Sequence, residues 1–165
     1  MRRVLALSLS AALLLAALCA CGGGSEAGEA DLAAFARTVQ ENFEFPTLDR
    51  IDPEDGEFGA VMLDNCYPGL KDMDLEQIEI YLAPVSFSGG ELALVQAKNA
   101  GDAAKVREIF DARVTAKTTE GPGNYPAEVE AWQHNSVVVS RGNYVMLVNS
   151  EDKDAVVSQF DALFK

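Results

Sequence analysis

The residues with the most specific chemistry stand near the N-terminus. Leu18-Cys19-Ala20-Cys21 follows an uncharged, Leu/Ala-rich run from Val4 to Leu18, itself preceded by Met1-Arg2-Arg3. A branched apolar residue at −3 and a small one at −1 are what a lipobox sets before the cysteine whose thiol receives diacylglycerol ahead of cleavage. Cys21 meets both conditions. Cys19 as acceptor would put bulky Leu18 at −1; at −2 it departs from the usual Ala, Ser or Thr but stays small. The apolar run is 15 residues long, short of the ~20 needed to cross roughly 30 Å of hydrocarbon, and it stops at Gly22-Gly23-Gly24-Ser25. A plain secretory leader with a chance cysteine and an uncleaved anchor are the competing readings, and the anchor needs a longer run. The expectation is a signal peptide over 1–20, a lipidated Cys21 opening a flexible tether over 21–29, and a single globular domain over 30–165 on the extracytoplasmic face of the cell membrane.

The other chemistry-bearing residues are sparse. Once the leader is removed and Cys21 acylated, Cys66 is the last free cysteine and no intramolecular disulfide can form. One His and one free Cys fall short of the three or four ligands of a zinc site, so no metal and no cofactor is expected. Asp52-Pro53-Glu54-Asp55-Gly56-Glu57 has the flavour of a calcium loop. Counted from Asp52, however, Gly56 falls at position 5 and Leu63 at position 12, where an EF-hand wants a ligand and a Glu. A solvated acidic loop is the favoured reading. Cys66 with His134 could form a thiol–imidazole pair, yet Cys66 sits on an apolar stripe where a buried inert thiol is the default. No Gly-x-Ser-x-Gly elbow, Ser-x-x-Lys pair or phosphate-binding loop occurs. Gly121-Pro122-Gly123 lacks a leading strand and gives up a donor at Pro122.

The remaining candidate is Lys117–Asn135, which holds the only Trp, the only His and Tyr125. With at best one short helix, started by Pro126 and carrying Val129 and Trp132, a stretch of this length tends to be functional or disordered. Exposed, Tyr125 and Trp132, with Tyr144 beside them, would make an aromatic platform for an extracellular protein or cell-wall partner. Buried, they would staple the loop across the sheet, and burial is favoured for a lone Trp.

Positioning these residues falls to one domain. The chain has 165 residues and a net charge of −13, which becomes −15 when the leader with Arg2 and Arg3 is lost. Such a surface repels the phosphates of DNA, RNA or teichoic acid, so no nucleic acid is expected. Leu32, Phe35, Ala36, Val39 and Phe43 form one helical stripe ending before Phe45-Pro46, and Asp49 to Glu57 reads as an acidic loop. Phe58, Val61, Met62 and Cys66 repeat at helical spacing, weakened by Gly59 and stopped at Pro68-Gly69. Ile78, Ile80 and Leu82 alternate with polar residues through Gln77–Ala83, Pro84 to Gly90 reverses the chain, and Glu91–Lys98 returns as a strand. Asp102 to about Ala116 is helical with Ala103, Val106, Ile109, Phe110 and Val114 inward. Ser136–Ser140, an Arg141-Gly142 turn, Asn143–Asn149 and a helix from Glu151 with Val156, Phe160 and Leu163 inward then repeat the order.

At an offset of fifty, seven of the twenty-two positions from 91 to 112 are identical, among them Val95/Val145, Asn99/Asn149, Val106/Val156 and Phe110/Phe160. Chance supplies about one or two. A duplicated strand–strand–helix unit and the ordinary likeness of any strand running into a capped amphipathic helix both explain this. Either way the expected class is α+β: an antiparallel sheet of about four strands with helices on one face, preceded by an N-terminal helix.

The lipobox, the Gly/Ser tether and the segments Gln77–Lys98, Asn124-Tyr125-Pro126, Asn135 and Arg141-Gly142-Asn143-Tyr144-Val145 together resemble a family of bacterial lipoproteins known as domain of unknown function 4358, found mainly in Firmicutes. The resemblance implies a lipid-anchored extracellular α+β domain from about Ala30 to Lys165, and it implies no activity, ligand or catalytic residue. The expected function is therefore a membrane-anchored, non-enzymatic binding or envelope module, held to the membrane through Cys21. The alternative is a small extracytoplasmic hydrolase using Cys66 and His134 or surface acids. A two-lobed nutrient-binding protein would need a longer chain.

Overall fold

The computed structural model describes residues 29–84, 90–119 and 125–165. The expectations for the leader, Cys21, most of the tether, residues 85–89 of the turn and the Gly121-Pro122-Gly123 stretch fall outside them. In chain order the elements are α1 (Leu32–Asn42), β1 (Asp49–Ile51), α2 (Gly56–Cys66), β2 (Leu75–Leu82), β3 (Glu91–Ala97), α3 (Ala100–Thr118), α4 (Pro126–Asn135), β4 (Ser136–Arg141), β5 (Tyr144–Asn149) and α5 (Lys153–Ala162). All strand pairs are antiparallel, in the order β1-β2-β3-β5-β4.

The class is α+β, as the alternation of strand and helix patterns implies. The sheet has five strands, and helices cover both of its faces. Val95, Ala93, Val145 and Leu147 pack on one face against Leu63, Val106, Phe110 and Trp132 from α2, α3 and α4. Leu92, Leu94, Met146 and Val148 pack on the other against Leu32, Phe35 and Val39 of α1 and Val156 and Phe160 of α5. The reason is visible in β3 and β5. Successive strand residues point to opposite faces, and both strands are apolar at nearly every position, so both faces need a cover. The fifth strand, β1, lies within what reads as an acidic loop. Three residues at a sheet edge are too few to show an alternation.

Local chemistry fixes the element ends. The Asp31 carboxylate accepts the Ala34 N–H at 2.8 Å and starts α1. The Asn99 side chain accepts the Asp102 N–H at 3.0 Å and starts α3. At α5 the cap residue Asp152 makes no such bond with its own side chain; the Ser150 hydroxyl accepts its N–H at 3.1 Å. Pro126 opens α4 at a position where its missing N–H costs nothing. The β4–β5 hairpin closes over Gly142 and Asn143, because Arg141 pairs with Tyr144. Gly142 has φ +57°, the left-handed conformation that a two-residue hairpin turn requires.

The likeness of the two halves is partly geometric. Val95 and Val145 are direct partners, so the β3–β5 ladder is symmetric about them under the same offset of fifty. A two-fold axis relating antiparallel neighbours is perpendicular to the sheet and returns each face to itself. Phe110 nevertheless packs on the first face and Phe160 on the second. The strands repeat and the helices do not, so no single rotation relates the halves.

In α2 the buried stripe differs from the one that spacing suggests. Phe58 is 69% and Val61 47% exposed, while Gly59 and Leu63 are buried. A Cβ on Gly59 would stand 1.9 Å from the Asp52 carbonyl oxygen, so the helix leans on the β1–α2 connection through the one residue with no side chain. Gly59→Ala is expected to lower the unfolding free energy by about 1–3 kcal/mol, the usual cost of overpacking. Urea denaturation with an unchanged midpoint would refute the close approach.

Candidate functional site

On the first face, at the end of the sheet where β3 begins, α2, α3 and α4 converge on a group of buried charges. Glu91 is the first residue of β3, on the same side as Ala93, Val95 and Ala97, and it is buried. Its Oε1 accepts from Arg113 Nε at 3.1 Å and its Oε2 from Arg113 Nη2 at 2.8 Å. The Tyr67 hydroxyl, at the end of α2, donates to the same carboxylate. The Arg113 guanidinium lies 5.7 Å from the Tyr67 ring centre and 5.5 Å from that of Trp132, within cation–π range of both. One turn further along α3, Lys117 Nζ donates to Glu128 Oε1 at 2.6 Å. Glu128, in the first turn of α4, is buried, and among the described residues its Oε2 has no hydrogen-bond partner.

Two carboxylates and two cations thus neutralise each other in an apolar surrounding. Burial works against the charge on Arg113, but the field of Glu91 and its hydrogen bonds outweigh this and hold the guanidinium protonated. Burial, reinforced by the Glu91 charge, pushes the Tyr67 phenol well above its ordinary value and keeps it a donor. Removing one partner of such a pair leaves a bare buried charge.

This group floors a cavity of about 670 Å³. Its walls are Ile51, Phe58, Met62, Cys66, Leu82 and Trp132, and its rim carries Asp49, Asp52 and Asp55. Asp52 is already engaged. Its carboxyl accepts the Glu54 N–H at 2.9 Å and Arg50 Nη1 at 2.8 Å, and these bonds, the backbone one first, hold it below its ordinary value. Arg50 also grips Glu79, through Nε at 2.9 Å and Nη2 at 3.1 Å. Among the described residues no group of three or more His, Cys, Asp or Glu is disposed to hold a metal ion, and no helix is long and apolar enough to cross a membrane.

The aromatic residues singled out in the sequence are not brought together. Trp132 is 3% exposed and packs on the first face, as burial of the lone Trp implies. Tyr144 packs on the second face, its ring 4.9 Å from Phe164, and its hydroxyl accepts the Ala30 N–H at 3.2 Å. Tyr125 is 57% exposed, just ahead of α4. No cleft is shared by the three, because the sheet itself separates Trp132 from Tyr144. The role the structure gives Tyr144 is to fasten the start of the domain. Gln77 does the same, accepting the Leu32 N–H at 3.0 Å and donating to the Ala30 carbonyl at 2.8 Å.

Cys66 and His134 are likewise apart. Cys66 ends α2 half-buried at the cavity, and burial pushes its thiol above the ordinary value, with Glu91 adding to this and Arg113 opposing it. His134 is exposed in the last turn of α4, where its carbonyl accepts from Lys153. Among the described residues no hydrogen bond joins them. A nucleophilic cysteine needs its thiolate favoured, and this environment disfavours it.

Glu91, Arg113, Lys117 and Glu128 were not singled out in the sequence, although a signal was there. Arg113 and Lys117 extend the inward stripe of Ala103, Val106 and Phe110, and Glu91 extends the inward side of β3. Charges placed where the period calls for apolar residues are the mark of a buried polar site. Residues 54–150, more than half of the chain, match the family model described as "Domain of unknown function (DUF4358)". That span holds the whole Glu91–Arg113–Tyr67 and Lys117–Glu128 assembly and leaves out α1 and α5. No curated protein and no solved structure matches the chain.

Arg113→Met is expected to cost about 3–5 kcal/mol of stability, and Glu91→Gln with Arg113→Met together clearly less than the two single changes summed. A double-mutant cycle by denaturant unfolding that came out additive would refute the coupling. For Cys66, a raised pKa means less thiolate at any given pH. Iodoacetamide at neutral pH should label it more slowly in the folded protein than in denaturant, measured by peptide mapping. Equal or faster labelling of the folded form would contradict that environment.

Proposed function

The chain belongs to the family of domain of unknown function 4358, and from that premise we propose that it is a lipid-anchored, extracytoplasmic, non-enzymatic binding module. The observation that carries the binding role is the cavity of about 670 Å³ at the β3 end of the sheet. Its size is that of a small-molecule or single-side-chain site, and it joins apolar walls to a few fixed polar groups. The buried charges at its floor are spent on one another: Arg113 on Glu91, Lys117 on Glu128. Such an arrangement supports recognition better than proton transfer, which needs a group free to titrate near neutral pH. The ligand reading therefore moves from the Tyr125, Trp132 and Tyr144 platform to this cavity, of which Trp132 alone is a part.

The anchor rests on Leu18-Cys19-Ala20-Cys21 and the Gly/Ser stretch behind it. The clamp of Gln77 and Tyr144 on Ala30 and Leu32 fits a domain held by its N-terminus, since it fixes the point at which the tether leaves the body. In the native host, metabolic labelling with a fatty acid is expected to mark the wild-type chain and to leave Cys21→Ser unmarked and released from the membrane fraction. Label persisting in the variant, or absent from the wild type, would overturn the anchor. Trp132, the only Trp, reports on the cavity itself. A library of small polar molecules from which no member alters its emission would overturn the binding role.

A further inference from the structure

We propose that the cavity takes a primary alkylammonium group on a short aliphatic stem, carried by a free diamine or by a lysine-type side chain. This rests on the binding reading above and names the chemistry the site selects. The charge surplus sets the sign. Five acidic and three basic residues line the cavity, and each base is already engaged: Arg50 with Glu79 and Asp52, Arg113 with Glu91, Lys117 with Glu128. Among the described residues, Asp49 and Asp55 at the rim make no ion pair, and both are exposed.

The floor supplies the acceptor. Glu128 lines the cavity; Lys117 satisfies its Oε1 only, and among the described residues its buried Oε2 has no hydrogen-bond partner. An ionised carboxylate accepts and cannot donate, so the group that completes it must bring a proton. A buried polar atom left unpaired is costly, and the cost is recovered when a donor arrives. An ammonium is compact, carries three donors and sits at the tip of a flexible stem. The walls fit the stem: Ile51, Met62 and Trp132 are apolar, and Phe58, 69% exposed, stands at the mouth. A carboxylate or phosphate would meet the rim acids and a chain of net charge −13.

The test uses the full chain in detergent, with calorimetry and Trp132 emission as readouts. The probes are 1,5-diaminopentane, Nα-acetyl-lysine amide, pentanol and pentanoate. Both amines, or the diamine alone, should bind and shift the emission, more weakly as salt rises. Binding of the diamine alone assigns the ligand to free amines; binding of both admits a peptide-borne side chain. Glu128→Gln should weaken binding about tenfold or more, equivalent to roughly 1.4 kcal/mol. Because that change also strips Lys117 of its counter-charge and threatens the fold, the rim variants Asp55→Asn and Phe58→Ala provide the second arm. Each should weaken the diamine by about threefold or more. Pentanol or pentanoate binding in place of the amines would overturn the ammonium assignment and leave the binding role standing. Silence from all four probes would overturn the assignment too, while the binding role is judged separately by the library.

Discussion

Glu91 is the point on which this architecture turns. A carboxylate at the first position of a central strand, on the face that carries Ala93, Val95 and Ala97, is buried wherever the sheet is covered. Leaving it there uncompensated would cost more than a small domain can spare. Arg113 answers with a two-pronged hydrogen bond from α3, and Tyr67 adds a third donor from the end of α2. The guanidinium then lies against Tyr67 and Trp132, so α4 is tied to the same centre. Four elements thus meet at one charge and what it demands.

The same demand leaves a cavity behind. Long charged side chains reach inward from α3 where Leu or Phe would have filled the space, and Lys117 with Glu128 repeats the device one turn on. Side chains of this kind must keep their hydrogen-bonding atoms matched, so they cannot close up as hydrocarbon does. Gly59 adds to the effect. It seats α2 directly on the Asp52 carbonyl and turns Phe58 outward to the mouth. Packing on the second face is of another kind. There Phe35, Phe160, Phe164 and Tyr144 pack ring on ring at 4.9 to 5.7 Å, Phe160 and Phe164 edge to face and the other pairs tilted.

Much of the frame was legible. The stripe of Leu32, Phe35, Ala36 and Val39, the alternation of Ile78, Ile80 and Leu82, and the Gly142 turn each reflect forces acting within a dozen residues. They correspond to α1, β2 and the β4–β5 hairpin. The symmetry of the β3–β5 ladder about Val95 and Val145 was present as an offset of fifty. What could not be read was which face α3 and α5 would take, because a short turn after a strand can send its helix to either side. Nor could the stripe on α2 be chosen, since Gly59 reads as a weakness until the Asp52 carbonyl is placed against it.

The sequence by itself determined most of the helices and strands and the tight turn between β4 and β5, since these follow from neighbours along the chain. Tertiary structure alone decided that both faces of the sheet are covered, that Trp132 and Tyr144 lie on opposite sides, and that Glu91, Arg113, Lys117 and Glu128 meet. Those residues come from a strand and two helices that only the fold brings together, and their charges interact through a low-dielectric interior that folding itself creates.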